Sequence, residues 1–302
     1  MTRPSATAIL LLAALSAWAC GAAGGTPARW PEGAAFAGLG GDGRWHAYVV
    51  RDGTPRRVRT ATEPRGLSYH PPRRLLAYVG ADGSVRLLAL ATGRERVLLR
   101  QGRDAYTQPA FAPDGKALYL ARLPQGASAH AGVVRLHLAD GRIERVAGGD
   151  GAHLEPAPDG AGSVWLTRIE CGLECGRLVQ TLWRLVPGGR LRPVLRRRGI
   201  AREPAPSADG RLVYFAADYT GPYKIWRCTA EGTGCAALTR GPRPDLSPAV
   251  AADGTVLFVR LGRDGHRVHR LRPGHDPEPL PLPAGVRRIR SLEICPCLAR
   301  PP

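Results

Sequence analysis

Cysteine is the residue type whose spacing most directly suggests chemistry in this 302-residue chain. Six of its seven cysteines fall in close pairs, which are Cys171 with Cys175, Cys228 with Cys235, and Cys295 with Cys297. Even pairs of cysteines are typical of disulfide bonds when a chain is exported, and residues 1–19 have the pattern of an export signal. All six are therefore predicted disulfide cysteines. For the Cys295–Pro–Cys297 pair the alternatives are a strained or redox-active bridge and two free thiols, because two residues this close approach the limit of disulfide geometry.

Local motifs for metal or nucleophilic chemistry do not occur in the sequence. The C-x-x-C and H-x-x-x-H spacings of zinc sites are missing, and so is the Gly-x-Ser-x-Gly elbow of hydrolases. His266 and His269 are three apart on a predicted strand, so their side chains point to opposite faces. We therefore predict no metal, no cofactor and no catalytic residue from local motifs. A site that gathers single residues from several repeats would leave no such motif.

Arginine dominates the charge of the chain. Of its 43 basic residues only Lys116 and Lys224 are lysine, and the formal net charge is +18. Two interpretations stay open, namely a bias in codon usage and selection for an anionic partner. Nucleic acid is not the expected partner, because no recognition motif occurs.

The predicted strands and turns that would position the cysteines and arginines repeat along the chain. The dipeptide Asp-Gly, which favours tight turns between antiparallel strands, occurs ten times. Four of these pairs precede an apolar strand pattern, at Asp114, Asp159, Asp209 and Asp253, with spacings of 45, 50 and 44 residues. Repeats of this length with four short strands each are typical of a β-propeller.

The two ends of the repeat predict how the ring closes. The first unit, which begins near Ala35, has three strands and lacks an inner one, whereas residues 288–294 supply one strand after the sixth unit. If the last strand completes the first blade, residues 34–294 form an all-β, six-bladed propeller with no free sheet edge. Residues 295–302 are then a C-terminal tail.

Two segments of the repeats resemble a known family. Ala-Pro-Asp-Gly-Lys-x-Leu-Tyr-Leu (112–120) and the segment 223–240 are similar to the propeller repeats of the TolB family. The resemblance covers roughly residues 34–294 and implies a WD40-like propeller in the bacterial cell envelope. The TolB family also has an α/β domain before its propeller. That domain is not expected here, because the strand pattern begins directly after residue 33.

The N-terminal residues have the pattern of an export signal. A basic Arg3 precedes an apolar run at residues 8–15, and Ala17-Trp-Ala19 fits the small-x-small cleavage rule. We predict a signal peptide at 1–19, a flexible tether at 20–33, and lipidation of Cys20, as in bacterial lipoproteins. The alternatives are plain secretion and an uncleaved anchor. The expected location is the periplasm, with the lipid holding the protein to the outer membrane.

Arginine is predicted to concentrate on one face of the ring. In propellers the outer-to-inner crossovers share one face with the loops between second and third strands. The predicted crossovers carry a net charge of +7, whereas the turns that carry the Asp-Gly pairs are assigned to the opposite face. We predict that ten arginines of this face bind an anionic partner: Arg100, Arg103, Arg196, Arg197, Arg198, Arg202, Arg240, Arg243, Arg287 and Arg288. Tyr219 and Tyr223 lie in a loop of the same face and are candidate ligand contacts.

These features predict a non-enzymatic binding or scaffold module of the cell envelope. Its partner would be an envelope protein, an anionic glycan or a lipid surface. The alternative is a propeller enzyme, a lyase or hydrolase, that acts on an anionic glycan or peptide in the central channel. Carboxylates or histidines converging in that channel would favour the enzyme, and small apolar residues would favour binding.

Overall fold

The computed structural model describes residues 28–171, 178–195, 197 and 199–298. These residues form β-strands joined by turns, with short 3-10 helices at Pro71–Arg73, Ser128–His130 and Pro296–Leu298. Within this part of the chain no helix has the length and apolar character needed to cross a membrane.

The strands form six four-stranded antiparallel sheets, which are the blades of a propeller. The first blade contains β24 (Arg288–Ile294), β1 (Ala34–Leu39), β2 (Trp45–Arg51) and β3 (Thr54–Val58). The second contains β4 (Pro64–His70), β5 (Leu75–Gly80), β6 (Val85–Ala89) and β7 (Arg94–Leu99). The third contains β8 (Asp104–Phe111), β9 (Ala117–Pro124), β10 (Gly132–His137) and β11 (Ile143–Ala147). Within each blade the strands run in this order from the channel outward.

The remaining three blades follow the same plan. The fourth contains β12 (Ala152–Pro158), β13 (Val164–Cys171), β14 (Val179–Val186) and β15 (Arg190–Pro193). The fifth contains β16 (Ala201–Pro206), β17 (Leu212–Ala217), β18 (Lys224–Thr229) and β19 (Ala236–Ala237). The sixth contains β20 (Asp245–Val250), β21 (Val256–Gly262), β22 (Gly265–Leu271) and β23 (Glu278–Pro279). The six-bladed all-β prediction is confirmed.

The Asp-Gly turns form because the aspartate side chain satisfies the backbone of its own turn. Asp114 Oδ1 accepts a hydrogen bond from the backbone N–H of Lys116 at 2.9 Å, and Asp253 does the same for Thr255 at 2.9 Å. The glycine between them adopts a positive φ, 64° at Gly115, where a side chain would be strained. The sequence repeat is therefore a repeat of hairpin turns.

The hydrophobic core lies between neighbouring blades. Between the second and third blades, Val79 and Leu87 pack against Leu118, Leu120 and Leu136, all of which are buried. Burying one such side chain stabilises a fold by about 1.5–3 kcal/mol. A single four-stranded sheet cannot cover both of its faces, so this burial requires the ring to close.

The ring closes where the sequence predicts. β24 pairs with β1, and its register places Ile289 opposite Gly38 and Ile294 opposite Ala34. Trp30 covers this seam: its side chain is 3% exposed, and its indole N–H donates to the Pro281 carbonyl at 2.8 Å. Residues 28–33 are thus packed against the propeller, and the prediction that the flexible tether extends to residue 33 is wrong for them.

The assignment of every Asp-Gly turn to the face opposite the crossovers is also wrong. Asp42, Asp82 and Asp264 lie in turns between second and third strands, and Asp150 lies in a crossover. These four are therefore at the crossover end of the blades. The reason is that a tight turn has the same backbone requirement at either end of a blade. An Asp-Gly pair therefore indicates a turn but does not indicate on which face of the ring that turn lies.

Candidate functional site

The channel wall is formed by the six inner strands, and each of them is interrupted by a β-bulge. Five blades place a non-glycine residue with φ between 51° and 56° at the bulge: Gln108, Glu155, Glu203, Ser247 and Ser291. This left-handed backbone is unfavourable for side-chain-bearing residues and persists only where the surroundings hold it. The same backbone conformation therefore recurs at the channel wall in five of the six blades.

Side chains at these bulges connect one blade to the next. Gln108 Oε1 accepts the backbone N–H of Glu155 at 2.9 Å, and Glu155 Oε2 accepts that of Glu203 at 2.7 Å. Glu203 Oε2 in turn accepts the N–H of Ser247 at 2.6 Å. At Glu155, Glu203 and Ser247 the N–H of the bulge residue therefore has its acceptor on the preceding blade. The polar groups of the third to sixth blades therefore form a continuous chain around the channel.

A cavity of about 260 Å³ lies inside this wall. Its lining is mostly proline, alanine and serine, with three carboxylates, Glu155, Glu203 and Glu293. Arg202 is the one basic residue of the lining among the residues that the structure describes. The cavity therefore contains three carboxyl groups and one guanidinium inside a strongly basic protein.

Glu155 is the most heavily bonded carboxylate of the channel. Besides the Glu203 N–H, its Oε2 accepts hydrogen bonds from the Thr167 hydroxyl at 3.0 Å and the Gln180 amide at 3.3 Å. Burial raises the pKa of Glu155, and the negative charge of Glu203 raises it further. Such a carboxyl can hold or release a proton, as a general acid or base must.

Glu293 is the carboxylate on β24. It accepts a hydrogen bond from the backbone N–H of Tyr69 on β4, which joins the first blade to the second. Burial raises the pKa of Glu293 to about 8. The channel therefore contains two carboxyl groups whose neutral form is favoured by their surroundings.

Arg202 belongs to the channel and not to the open face where the sequence analysis placed it. Its Nη2 lies 3.5 Å from Glu155 Oε1 and 3.3 Å from Glu203 Oε1. Tyr223 lies beside Arg202, whose positive charge opposes the burial that raises the pKa of Tyr223. Because two carboxylates already hold this guanidinium, Arg202 is a poor candidate for binding an anionic partner.

Seven of the predicted arginines are exposed at the crossover end, and we call them the crossover arginines. They are Arg100, Arg103, Arg197, Arg240, Arg243, Arg287 and Arg288. Within the described part of the chain, none of them lies in an ion pair. Arg196 and Arg198 lie outside the described residues. The exposed arginines are therefore available to a partner.

Tyr219 supports one of these arginines. The guanidinium of Arg197 lies 4.4 Å from the centre of the Tyr219 ring and 5.5 Å from that of Trp226. The Tyr219 hydroxyl is buried without a hydrogen-bond partner among the described residues, and burial raises the pKa of Tyr219 to about 12. Tyr219 thus packs beneath Arg197 and does not present its hydroxyl at the surface.

Two of the predicted cysteine pairs are at bonding distance. The sulfur atoms of Cys228 and Cys235 are 2.00 Å apart, and those of Cys295 and Cys297 are 2.09 Å apart. The predicted Cys171–Cys175 bond and the predicted lipidation of Cys20 involve residues outside the described part of the chain. A ligating atom of His70 lies within 4.8 Å of both Cys295 and Cys297 sulfurs.

The channel glutamates and this histidine belong to no local motif of the sequence. A signal for the glutamates does exist, because Gln108, Glu155, Glu203 and Ser247 each precede a Pro-Ala pair at the repeat period. No local signal could have found the His70 cluster, since the fold joins residues from opposite ends of the chain.

The fold and its channel define a six-bladed β-propeller of the kind found in TolB. The chain is similar to TolB from Acinetobacter baumannii, with 16% identity and a TM-score of 0.72 over 87% of this chain and 66% of that one. It is also similar to a TolB from Agrobacterium tumefaciens, with 17% identity and a TM-score of 0.65 over 82% of this chain and 88% of that one. The sequence matches no protein-family model and no curated protein.

An enzyme has a similar fold. Oligogalacturonate lyase in complex with manganese is 16% identical, with a TM-score of 0.54 over 76% of this chain and 71% of that one. At these identities the likeness concerns the fold alone. Similar propellers therefore include both TolB and a lyase.

Proposed function

We propose that this chain is an exported β-propeller that binds an anionic partner through its crossover face. The observation that carries this proposal is the group of seven crossover arginines, which are exposed and have no acidic partner within the described residues. A guanidinium without an internal counter-ion can bind carboxylate, phosphate or sulfate oxygens by two parallel hydrogen bonds. The similarity to TolB supports a role in the bacterial envelope.

The experiment compares charge reversal at the two ends of the propeller. The variant Arg287→Glu/Arg288→Glu changes the crossover face, and Arg142→Glu/Arg211→Glu makes the same change in charge at exposed turns of the opposite end. Partners are captured from envelope extract, and binding to anionic-lipid vesicles and to a sulfated polysaccharide is measured in parallel. These three arms separate a protein partner from a lipid and a glycan.

We expect the crossover variant to lose roughly tenfold or more in affinity, since each arginine near an anionic surface contributes about 1 kcal/mol. The opposite-end variant should bind as the unmodified protein does. Equal losses in both variants would mean that net charge alone attracts the partner, and no loss in either would remove the proposal.

Export and lipid anchoring are part of the same proposal. The export pattern at residues 1–19 supports removal of a signal peptide, and the Cys228–Cys235 sulfurs at bonding distance support an oxidising compartment. Cys20 then carries the lipid that holds the propeller to the outer membrane. Mass spectrometry of the mature N-terminus tests this directly: an acylated Cys20 is expected, and a free Cys20 would leave plain secretion.

A second candidate function is catalysis in the channel. It is supported by the two carboxylates that meet at Arg202 and by the similar fold of oligogalacturonate lyase. Two features oppose an anionic substrate. The carboxylates already accept backbone N–H groups of the next blade, and the one described arginine of the lining is paired with both.

Incubation with oligogalacturonate, followed by the ultraviolet absorbance of an unsaturated product, separates the two functions. We expect no product from the unmodified protein. Product that disappears in Glu203→Gln would favour the channel enzyme over the binding module.

A further inference from the structure

The Cys295–Cys297 pair and His70 meet at the end of the channel opposite the crossover face. His70 is the last residue of β4, and the two cysteines follow β24 in the turn that begins the 3-10 helix Pro296–Leu298. One ring nitrogen and the two sulfurs lie within 4.8 Å of one another. His70 and Cys295 are buried, and Cys295 also lines the channel cavity. The cluster therefore combines soft ligand atoms with an access route.

The imidazole of His70 makes the supporting hydrogen bond that metal-ligating histidines usually make. Its Nε2 lies 3.0 Å from the Pro113 carbonyl oxygen, to which it donates, so the lone pair is on Nδ1. Histidine ligands typically donate their other N–H to a backbone carbonyl, which fixes both the tautomer and the ring. Nδ1 currently accepts only the longer hydrogen bond from the Arg73 N–H, at 3.2 Å.

The Cys295–Cys297 pair has a hydrogen-bond donor that would stabilise negative charge on a sulfur atom. The backbone N–H of Cys297 donates to Cys295 Sγ at 3.3 Å, and such a donor stabilises a thiolate. In the disulfide state the sulfurs have no charge to offer a cation. Reduction is the step that converts the pair into ligands.

We propose that reduction of the Cys295–Cys297 bond creates, together with His70, a three-ligand site for a thiophilic d¹⁰ cation such as Zn²⁺. A dithiol reductant supplies two electrons and two protons, so that the S–S bond breaks, two thiols form and the reductant becomes a disulfide. The cation then displaces one proton from each thiol and binds two thiolates and the His70 Nδ1. Two sulfurs and one imidazole are a ligand set that zinc prefers, and they leave a fourth position for water or another ligand.

The closure of the ring brings the three proposed ligands of this site together. His70 belongs to the second blade, and the cysteines follow the strand that completes the first blade. The two 3-10 helices beside these residues, Pro71–Arg73 and Pro296–Leu298, are in contact. Metal binding replaces the Arg73 N–H contact of Nδ1 and thereby links the C-terminal segment to the second blade.

The experiment uses the full chain with every cysteine other than Cys295 and Cys297 changed to serine. The protein is reduced with a dithiol, the reductant is removed under anaerobic conditions, and Co²⁺ is added as a spectroscopic substitute for Zn²⁺. We expect one equivalent to bind with a thiolate-to-cobalt charge-transfer band, and Zn²⁺ to displace it. The oxidised protein should show no band.

Three variants distinguish a specific three-ligand metal site from nonspecific metal binding by the thiols. Cys295→Ser should abolish the band, and His70→Gln should weaken Zn²⁺ binding by at least about tenfold, the lower end of the effect of lost supporting groups at metal sites. His153→Gln is the matched control, because His153 is equally buried but lies in the fourth blade. It should leave the affinity unchanged.

Absence of the band in protein with two titratable thiols would overturn the proposal. Equal Zn²⁺ affinity in His70→Gln and the parent would overturn the three-ligand site. Circular dichroism shows whether the protein with its other cysteines changed to serine folds. If it does not fold, the metal bound by the reduced, otherwise unmodified chain is compared with the metal bound by its Cys295→Ser/Cys297→Ser variant. A difference of one bound equivalent then supports the site, and no difference overturns it.

Discussion

The crossover face and the channel wall both contain charged side chains, but they hold them in opposite ways. On the face, Arg240 and Arg287 are exposed and lie in no ion pair within the described residues. In the channel, Glu155 accepts three hydrogen bonds through Oε2 and contacts Arg202 through Oε1. A charge in water interacts weakly with its neighbours, whereas a buried charge requires partners to offset its lost hydration. The face is thus suited to a partner, and the channel charges serve first to join the blades.

This difference also bears on the choice between binding and catalysis. Carboxylates in the channel would favour an enzyme if they were free to act on a substrate. Here Glu155 and Glu203 each receive a backbone N–H from the following blade. Their arrangement therefore has a structural explanation that does not require a reaction.

The largest expected effect is the loss of the Glu155 carboxylate. Glu155→Ala leaves the buried donors of Thr167, Gln180 and the Glu203 backbone without their acceptor. We expect the free energy of unfolding to fall by about 3–5 kcal/mol, measured by urea denaturation. The control Arg240→Ala, on the crossover face, should change it by less than about 0.5 kcal/mol. Similar losses from both variants would contradict the comparison.

The second expected effect is a pH dependence that arises in the channel. The pKa of Glu293 rises from 4.5 to about 8, so between these values the folded protein holds a proton that the unfolded chain has released. The free energy of unfolding should therefore decrease as pH rises from 4.5 to about 8, by at most about 1.4 kcal/mol per pH unit, and level off above that range.

Glu293→Gln should reduce this slope, because the amide does not titrate. Denaturation curves at several pH values measure the slope in both proteins. Arg287→Glu/Arg288→Glu serves as the comparison from the crossover face and should retain the slope of the unmodified protein. An unchanged slope in Glu293→Gln would assign the pH dependence to other groups.

The smallest expected effect distinguishes two arginines of the same face. Arg197 lies over the rings of Tyr219 and Trp226, whereas Arg240 has no aromatic ring beneath it among the described residues. Arg197→Ala should lower the free energy of unfolding by about 0.5–1 kcal/mol, the range for an exposed cation–π contact. Arg240→Ala, measured in parallel, should have a smaller effect. Equal values would show that the stacking contributes nothing measurable.

The architecture could be predicted from the sequence, and the site could be predicted only in part. The Asp-Gly repeat indicated the hairpins, and the unpaired strands at the two ends indicated the seam between β1 and β24. The crossover arginines were placed at the correct end, because the crossovers follow from the order of the strands. Arg202 was misplaced, since one residue along an inner strand decides whether a side chain lies at the rim or in the channel.

The sequence by itself determined the number of blades, the closing strand and the end of the ring at which the seven crossover arginines lie. These features depend on local turn chemistry and on strand alternation, which are written in consecutive residues. Only the tertiary structure decided that Glu155, Arg202 and Glu203 meet around one cavity, and that His70 faces Cys295 and Cys297. Glu155 and Arg202 lie in neighbouring blades, and the closure of the ring brings His70 to the two cysteines, so these contacts depend on how the blades pack and not on consecutive residues.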